Sequence, residues 1–163
     1  MFQILSSLLL AAAGLLASPA IQAESEIRCT VQSVHDGDSM RVQCPGQRGT
    51  TPIRMRQIDA PELEQAHGIQ ARDHLRKLCS RGSIATIRTQ GRDQYGRVLG
   101  DVHCENKSVN EEMVSSGSAW LYDRYVTDRD LYHLQDQARS AKRGLWGGKS
   151  PQAPWRWRYQ QRN

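Results

Sequence analysis

The chain has 163 residues and a formal net charge of +5, from 22 Lys and Arg against 17 Asp and Glu. That length is single-domain size, enough for one hydrophobic core. A basic balance suits a polyanion such as nucleic acid, or an anionic membrane surface.

Ile4 to Ala17 is an uncharged apolar run, followed by Ser18-Pro19-Ala20-Ile21-Gln22-Ala23. The small residues suit signal-peptidase cleavage after Ala23 or after Ala20. The run falls short of the roughly 20 apolar residues a membrane span needs. Residues 1–23 therefore read as a secretory signal, although no Lys or Arg precedes the run; an uncleaved anchor is the alternative. The mature chain from Glu24, secreted or periplasmic and acting as a monomer, then carries the whole positive charge.

Ile27 to His35 reads as a strand and Ser39 to Cys44 as its partner, with Asp36-Gly37 as a two-residue hairpin turn. After the loop Pro45–Gly49, Pro52 to Ile58 resumes as a strand that Pro61 breaks. Ala71, Leu75 and Leu78 recur at helical spacing between Gln65 and Cys79, and Arg81-Gly82 closes that helix. Ser83 to Thr89 and Val98 to Cys104 are the next strands, joined through a turn at Tyr95-Gly96. Ser108 and Glu111 form a capping box for a short helix ending at Gly117. Thr127 caps a further helix with a stripe of Leu131, Leu134, Ala138 and Ala141, stopped by Gly144. Short strands, a helix inserted after the third, and helices at the end describe an α+β, mainly β, chain: a five-stranded OB-type barrel with three α-helices.

Cys29, Cys44, Cys79 and Cys104 contain no Cys-x-x-Cys pair, which argues against a zinc or thioredoxin-type site, and two disulfides are expected. Three connectivities exist. Cys29–Cys44 is favoured because the two are equidistant from the Asp36-Gly37 turn centre, which leaves Cys79–Cys104. With a two-residue turn the first pair would fall on a hydrogen-bonded position, where side chains approach less easily. A one-residue bulge would relieve it.

Three segments carry chemistry. Asp36-Gly37-Asp38 is by itself a hairpin turn, but Asp59 at the end of another strand supplies a second carboxylate. Two aspartates and a backbone carbonyl make a hard-oxygen site suited to Ca²⁺. Glu62 is either a cap for the following helix or a group that orients or deprotonates an attacking water. Arg54 and Arg97 are either surface arginines or a bidentate grip on a phosphate. His35, His67, His74, His103 and His133 show no metal-ligand spacing. The tail Pro154-Trp155-Arg156-Trp157-Arg158-Tyr159 alternates aromatic and basic residues. It either packs on the domain, stacks bases and grips phosphates, or touches a membrane surface.

Taken together, Asp36-Gly37-Asp38, Ile53-Arg54 through Ile58-Asp59-Ala60-Pro61-Glu62, and Asp93-Gln94-Tyr95-Gly96-Arg97 resemble the staphylococcal nuclease family. The resemblance continues through Val109–Trp120 and Gly144-Leu145-Trp146, covering nearly all of Ile27 to Trp146. It implies an OB barrel domain over 24–150 with a tail at 151–163. It also implies a calcium-dependent endonuclease that acts on DNA and RNA and leaves 3′-phosphate ends. By that pattern Asp38 and Asp59 are calcium carboxylates, the Ala60 carbonyl is a third ligand, and Asp36 stands behind them. Arg54 and Arg97 match the phosphate-binding arginines and Glu62 the water-activating residue. Tyr95, Tyr122 and Tyr125 are the substrate-binding tyrosines. Ala60 stands where the best-known member has threonine, Ser39 replaces a threonine, and the cysteines are extra to that member.

The rival reading is an OB module that binds nucleic acid without cutting it. A pure binder has no need of Asp38, Arg54, Asp59, Glu62 and Arg97 together. A basic envelope-binding protein, resting on charge and tail alone, ranks third.

Overall fold

The structure is a computed structural model and describes residues 25–163; the expected signal segment lies outside them. Strands β1 (Ser25–Val34), β2 (Ser39–Gln43) and β3 (Thr51–Met55) form an antiparallel meander. A two-residue strand, β4 (Ile58–Asp59), and helix α1 (Gly68–Leu78) follow. Strands β5 (Ile84–Arg92) and β6 (Val98–Cys104) form the second hairpin, and β5 pairs antiparallel with β1. Parallel pairing of β3 with β6, Ile53 opposite Val98 and Arg54 opposite Leu99, closes β1, β2, β3, β5 and β6 into a barrel. Closure removes the free sheet edges. The expected mainly-β OB barrel is therefore what the chain forms.

Alternation dictates the interior. Along β6 every second residue from Val98 to Cys104 is buried, as period-two side-chain direction requires. Val31, Val42, Ile53, Ile87 and Val102 meet in the barrel, each contributing about 1.5–3 kcal/mol of burial. Ala71 and Leu75 of α1 cover one end. After a short strand, β7 (Lys107–Ser108), helix α2 (Val109–Ser115) inserts Met113 and Val114 into the same core. Ser108 caps α2, its side chain accepting from the Glu111 amide.

Strand β8 (Trp120–Leu121) pairs with β4, and helix α3 (Asp130–Ser140) packs behind it. Thr127 does not cap α3. Its hydroxyl bonds the Gln57 side chain, and the N-cap position is Arg129, without a side-chain cap. The α3 stripe also differs from expectation. Ala141 is exposed, and Gln135 is buried because its Oε1 accepts from the Leu121 amide at 2.9 Å.

Two corrections concern the strands that carry the site. The β1–β2 connection is not a two-residue turn. Val34 pairs with Met40 and the His35 amide bonds the Ser39 carbonyl, leaving Asp36, Gly37 and Asp38 as the loop. The register then shifts at a bulge between Val31 and Ser33, which brings Cys29 opposite Cys44. Both expected disulfides form, Cys29–Cys44 and Cys79–Cys104. The anticipated strand from Pro52 to Ile58 is interrupted as well. Gln57 adopts φ 66°, a rare conformation for a residue with a Cβ. Its side chain justifies the kink: Oε1 accepts from the Thr127 and Asp128 amides, both at 2.8 Å.

The tail is a fourth helix, α4 (Pro154–Gln161), started by Pro154 at its first turn. It packs on the domain: Trp155 lies against Trp120 and Tyr122. Among the described residues no helix is long and apolar enough to cross a membrane.

Candidate active site

The site is assembled at one end of the barrel from the β1–β2 loop, the β3–β4 kink and the segment before α1. Asp36 shapes the loop: its Oδ1 accepts from the Asp38 amide at 3.0 Å and the Ser39 hydroxyl at 2.6 Å. Asp38 then ties the loop to the next strands. Its carbonyl accepts from the Met55 amide at 2.9 Å, and its Oδ2 accepts from the Ala60 amide at 2.7 Å.

Arg54 joins the two aspartates. Its Nε stands 3.2 Å from Asp38 Oδ1 and its Nη2 donates to Asp59 Oδ1 at 3.0 Å. The remaining terminal nitrogen donates to the carbonyls of Met55 and Ile58. The Asp38 and Asp59 side chains are only 8% and 2% exposed, so neither charge is tolerable without such a partner. Burial raises the Asp38 pKa to about 8; Asp36 and Asp59 add to the rise, against the opposing pull of Arg54 and the Ala60 amide.

Glu62 lies on the open side of this pair, its side chain 37% exposed. It is not a helix cap: α1 begins at Gly68 behind His67, with no side-chain cap. The helix start nevertheless fixes Glu62. A Cβ on Gly68 would fall 1.8 Å from the Glu62 carbonyl oxygen, so only glycine lets α1 approach this closely.

Arg97 arrives on the β5–β6 turn. Its neighbour Val98 pairs with Ile53, the neighbour of Arg54, which puts Arg97 just before the strand that adjoins Arg54's own. Asp93 organises this turn, accepting from the Tyr95 and Arg97 amides and binding Arg97 Nε at 2.7 Å. Partial burial works against ionising Asp93, but the bonds from Arg97 and Tyr95 outweigh it and lower its pKa. Tyr95 is 75% exposed, beneath the Arg97 guanidinium at 5.6 Å. Tyr122 follows β8, whose Trp120 pairs with Asp59. Tyr122 and Tyr125 meet edge to face at 4.9 Å. Thus Asp38, Arg54 and Asp59 form one contact cluster that Glu62 flanks, whereas Arg97 and Tyr95 contact each other on the β5–β6 turn that Asp93 organises, and Tyr122 and Tyr125 contact each other after β8.

The expected residues missed one member. Arg158 of α4 donates to Asp59 through both terminal nitrogens, Nη1 to Oδ1 at 3.1 Å and Nη2 to Oδ2 at 2.7 Å. Its Nη1 also donates to Glu62 at 2.7 Å. A signal for it existed in the sequence: Trp155 and Arg158 are three residues apart behind Pro154, and so share one helix face.

The donor set fits a hard cation. Asp38 and Asp59 offer carboxylate oxygens, and the Ala60 carbonyl lies beside Asp59 in sequence. Among the described residues no group of three or more His, Cys, Asp or Glu is arranged to hold a metal. Such a site relies on carbonyl, water or substrate oxygens for its remaining ligands.

An OB barrel bearing buried aspartates, a bridging arginine and an outlying glutamate is the framework of a hydrolase acting on phosphodiesters. The comparisons agree. The profile of the staphylococcal nuclease homologues matches residues 52–148, and the chain belongs to that family, within the nuclease class. It is 40% identical over 136 residues, 83% of this chain and 87% of that protein, to an Escherichia coli protein described as an "uncharacterized endonuclease". A probable staphylococcal-like nuclease of Oryza sativa subsp. japonica is 41% identical over 111 residues, 68% of this chain and 30% of that protein. A Haemophilus influenzae protein, likewise described as an endonuclease, is 33% identical over 134 residues, 82% of this chain and 74% of that protein.

Proposed function

We propose that the protein is a Ca²⁺-dependent endonuclease, secreted or periplasmic, that hydrolyses DNA and RNA with little sequence preference and leaves 3′-phosphate ends. The observation that carries this reading is the buried pair Asp38 and Asp59, bridged by Arg54 and flanked by Glu62. Two disulfides fit an oxidising, extracytoplasmic compartment.

Calcium held by Asp38, Asp59 and the Ala60 carbonyl would supply positive charge to a phosphoryl oxygen. Asp36 keeps the loop in shape through its bonds to the Asp38 amide and Ser39. Glu62 holds the attacking water and accepts its proton as the new P–O bond forms. The bond from phosphorus to the 5′-oxygen breaks, and that oxygen leaves as a hydroxyl after taking up a proton. Arg97 offers a planar donor pair to the charge that grows on the phosphate, and Arg54 adds its positive charge from within the cluster. Tyr122, Tyr125 and Tyr95 offer rings on which unstacked bases rest. Phosphate grip and stacking do not read base edges, which accounts for low sequence preference.

The test is cleavage of single- and double-stranded DNA by the mature chain in calcium of millimolar order and then in chelator, with Glu62→Gln as control. Calcium-dependent cutting that collapses in the control is the expected result. Binding without cutting, at any calcium concentration, would leave the chain a binding module instead.

A further inference from the structure

Helix α4 places two side chains of one face on the candidate site. Trp155 stacks on Tyr122 with ring centroids 5.3 Å apart and planes 8° from parallel. Arg158, one turn later, spans Asp59 and Glu62. The start of the helix is moored separately, because Gln65 Nε2 donates to the Gln152 carbonyl at 2.6 Å.

The consequence for Asp59 is specific. Its Oδ1 already accepts from Arg54, and Arg158 takes Oδ1 and Oδ2 together. A cation that coordinates Asp59 must use the same oxygens, and a guanidinium directly on them would repel it. The two competitors differ in freedom. The Asp59 side chain is 2% exposed and Arg158 36% exposed, so Arg158 is the partner able to withdraw. Trp155 meanwhile covers a face of Tyr122, one of the rings proposed above to take an unstacked base.

We propose that Arg158 is an internal cation that competes with divalent metal for Asp59, making α4 a built-in occupant of the active site that withdraws as the site loads. The proposal rests on the reading of Asp38 and Asp59 as calcium carboxylates. Substrate and metal act in concert under it, because a nucleic acid that displaces Trp155 from Tyr122 also loosens the helix that carries Arg158. The apparent metal affinity of the intact chain is lowered by the fraction of molecules in which α4 is seated.

The experiment is calorimetric titration of calcium into the mature chain, its Arg158→Ala variant and its Trp155→Ala variant, each checked for folding by circular dichroism. Arg158→Ala should bind calcium at least about tenfold more tightly than the parent. Trp155→Ala unseats the helix without touching a carboxylate, and should shift affinity in the same direction. It keeps the test open should Arg158→Ala misfold. Equal affinity in parent and variants would overturn the competition while leaving the cation site standing. If none of the three binds calcium, the cation reading and the proposal fall together. Unchanged affinity combined with slower cleavage at saturating calcium would also overturn it, and would make Arg158 a substrate contact.

Discussion

A Cβ placed on Gly37 would stand 2.6 Å from the Cβ of Ala60 and 2.8 Å from that of Ala71. The glycine between the two aspartates is therefore needed for close approach, since it is not among the glycines with positive φ. Through this contact the β1–β2 loop lies against the backbone that carries Asp59 and Ala60, within reach of the bond from the Ala60 amide to Asp38.

Gly37→Ala should consequently destabilise the fold by about 1–3 kcal/mol, the usual range for overpacking, and weaken calcium binding along with it. Urea denaturation and calcium titration of the same variant measure both. An alanine variant as stable as the parent, with normal calcium affinity, would show that the loop yields without consequence.

Arg54 and Arg97 should respond differently to substitution. Arg54 is shared between two buried carboxylates, and removing one partner of such a group typically costs about 3–5 kcal/mol. Arg54→Ala should therefore lose stability as well as turnover. Arg97 is one-third exposed and pairs with Asp93, an arrangement that contributes about 0–1 kcal/mol. Arg97→Lys should fold normally yet cleave DNA about a hundredfold more slowly, since lysine lacks the planar fork. Turnover like the parent's in Arg97→Lys would remove that residue from the catalytic set.

The disulfides offer a third contrast. Cys29–Cys44 joins strands already held by the β1–β2 ladder, across a separation of 15 residues. Cys79–Cys104 ties the end of α1 to β6 across 25 residues. Closing a longer loop removes more entropy from the unfolded chain, about 3 kcal/mol at 15 residues and somewhat more at 25. The paired replacement Cys79→Ala with Cys104→Ala should lower the melting temperature more than Cys29→Ala with Cys44→Ala. The reverse order would mean that native strain or residual structure outweighs loop length.

The legible parts of this chain were those governed by local pattern. Alternation located the strands, apolar spacing located α1, and the motif residues Asp38, Arg54 and Asp59 converge as their order suggested. What failed depended on distant partners. Asp36-Gly37 reads as a tight turn, but the loop is widened to reach Ala60, and a bulge upstream restores the cysteine pairing. Thr127 reads as a cap until the buried Gln57 claims its hydroxyl and amide. Gln135 lies outside the apolar stripe expected of α3, because nothing local announces the Leu121 amide from which it accepts. Arg158 is 96 residues from Glu62 in sequence; its face on α4 was readable, its target was not.

Asp38 yields a pH prediction of definite sign. Burial raises its pKa in the folded chain to about 8, well above the ordinary value of 3.8. A raised folded pKa stabilises below the ordinary value, and that stabilisation is lost as pH rises through the folded value. Without added metal, the contribution of Asp38 should therefore decline between about pH 4 and pH 8. His67 and His74 slope the other way: burial lowers both, with His74 adding to the effect on His67. Their contribution is present above the ordinary histidine range and lost as pH falls. Comparison with Asp38→Asn isolates the carboxyl, because only the parent should show the additional loss toward alkaline pH. Calcium requires the deprotonated carboxylate, so its stabilising effect on the parent should grow over the same interval. Melting temperatures of both proteins across that range, with calcium and with chelator, measure the difference. Parallel curves for the two would mean that Asp38 is ionised throughout, its burial fully offset by Arg54.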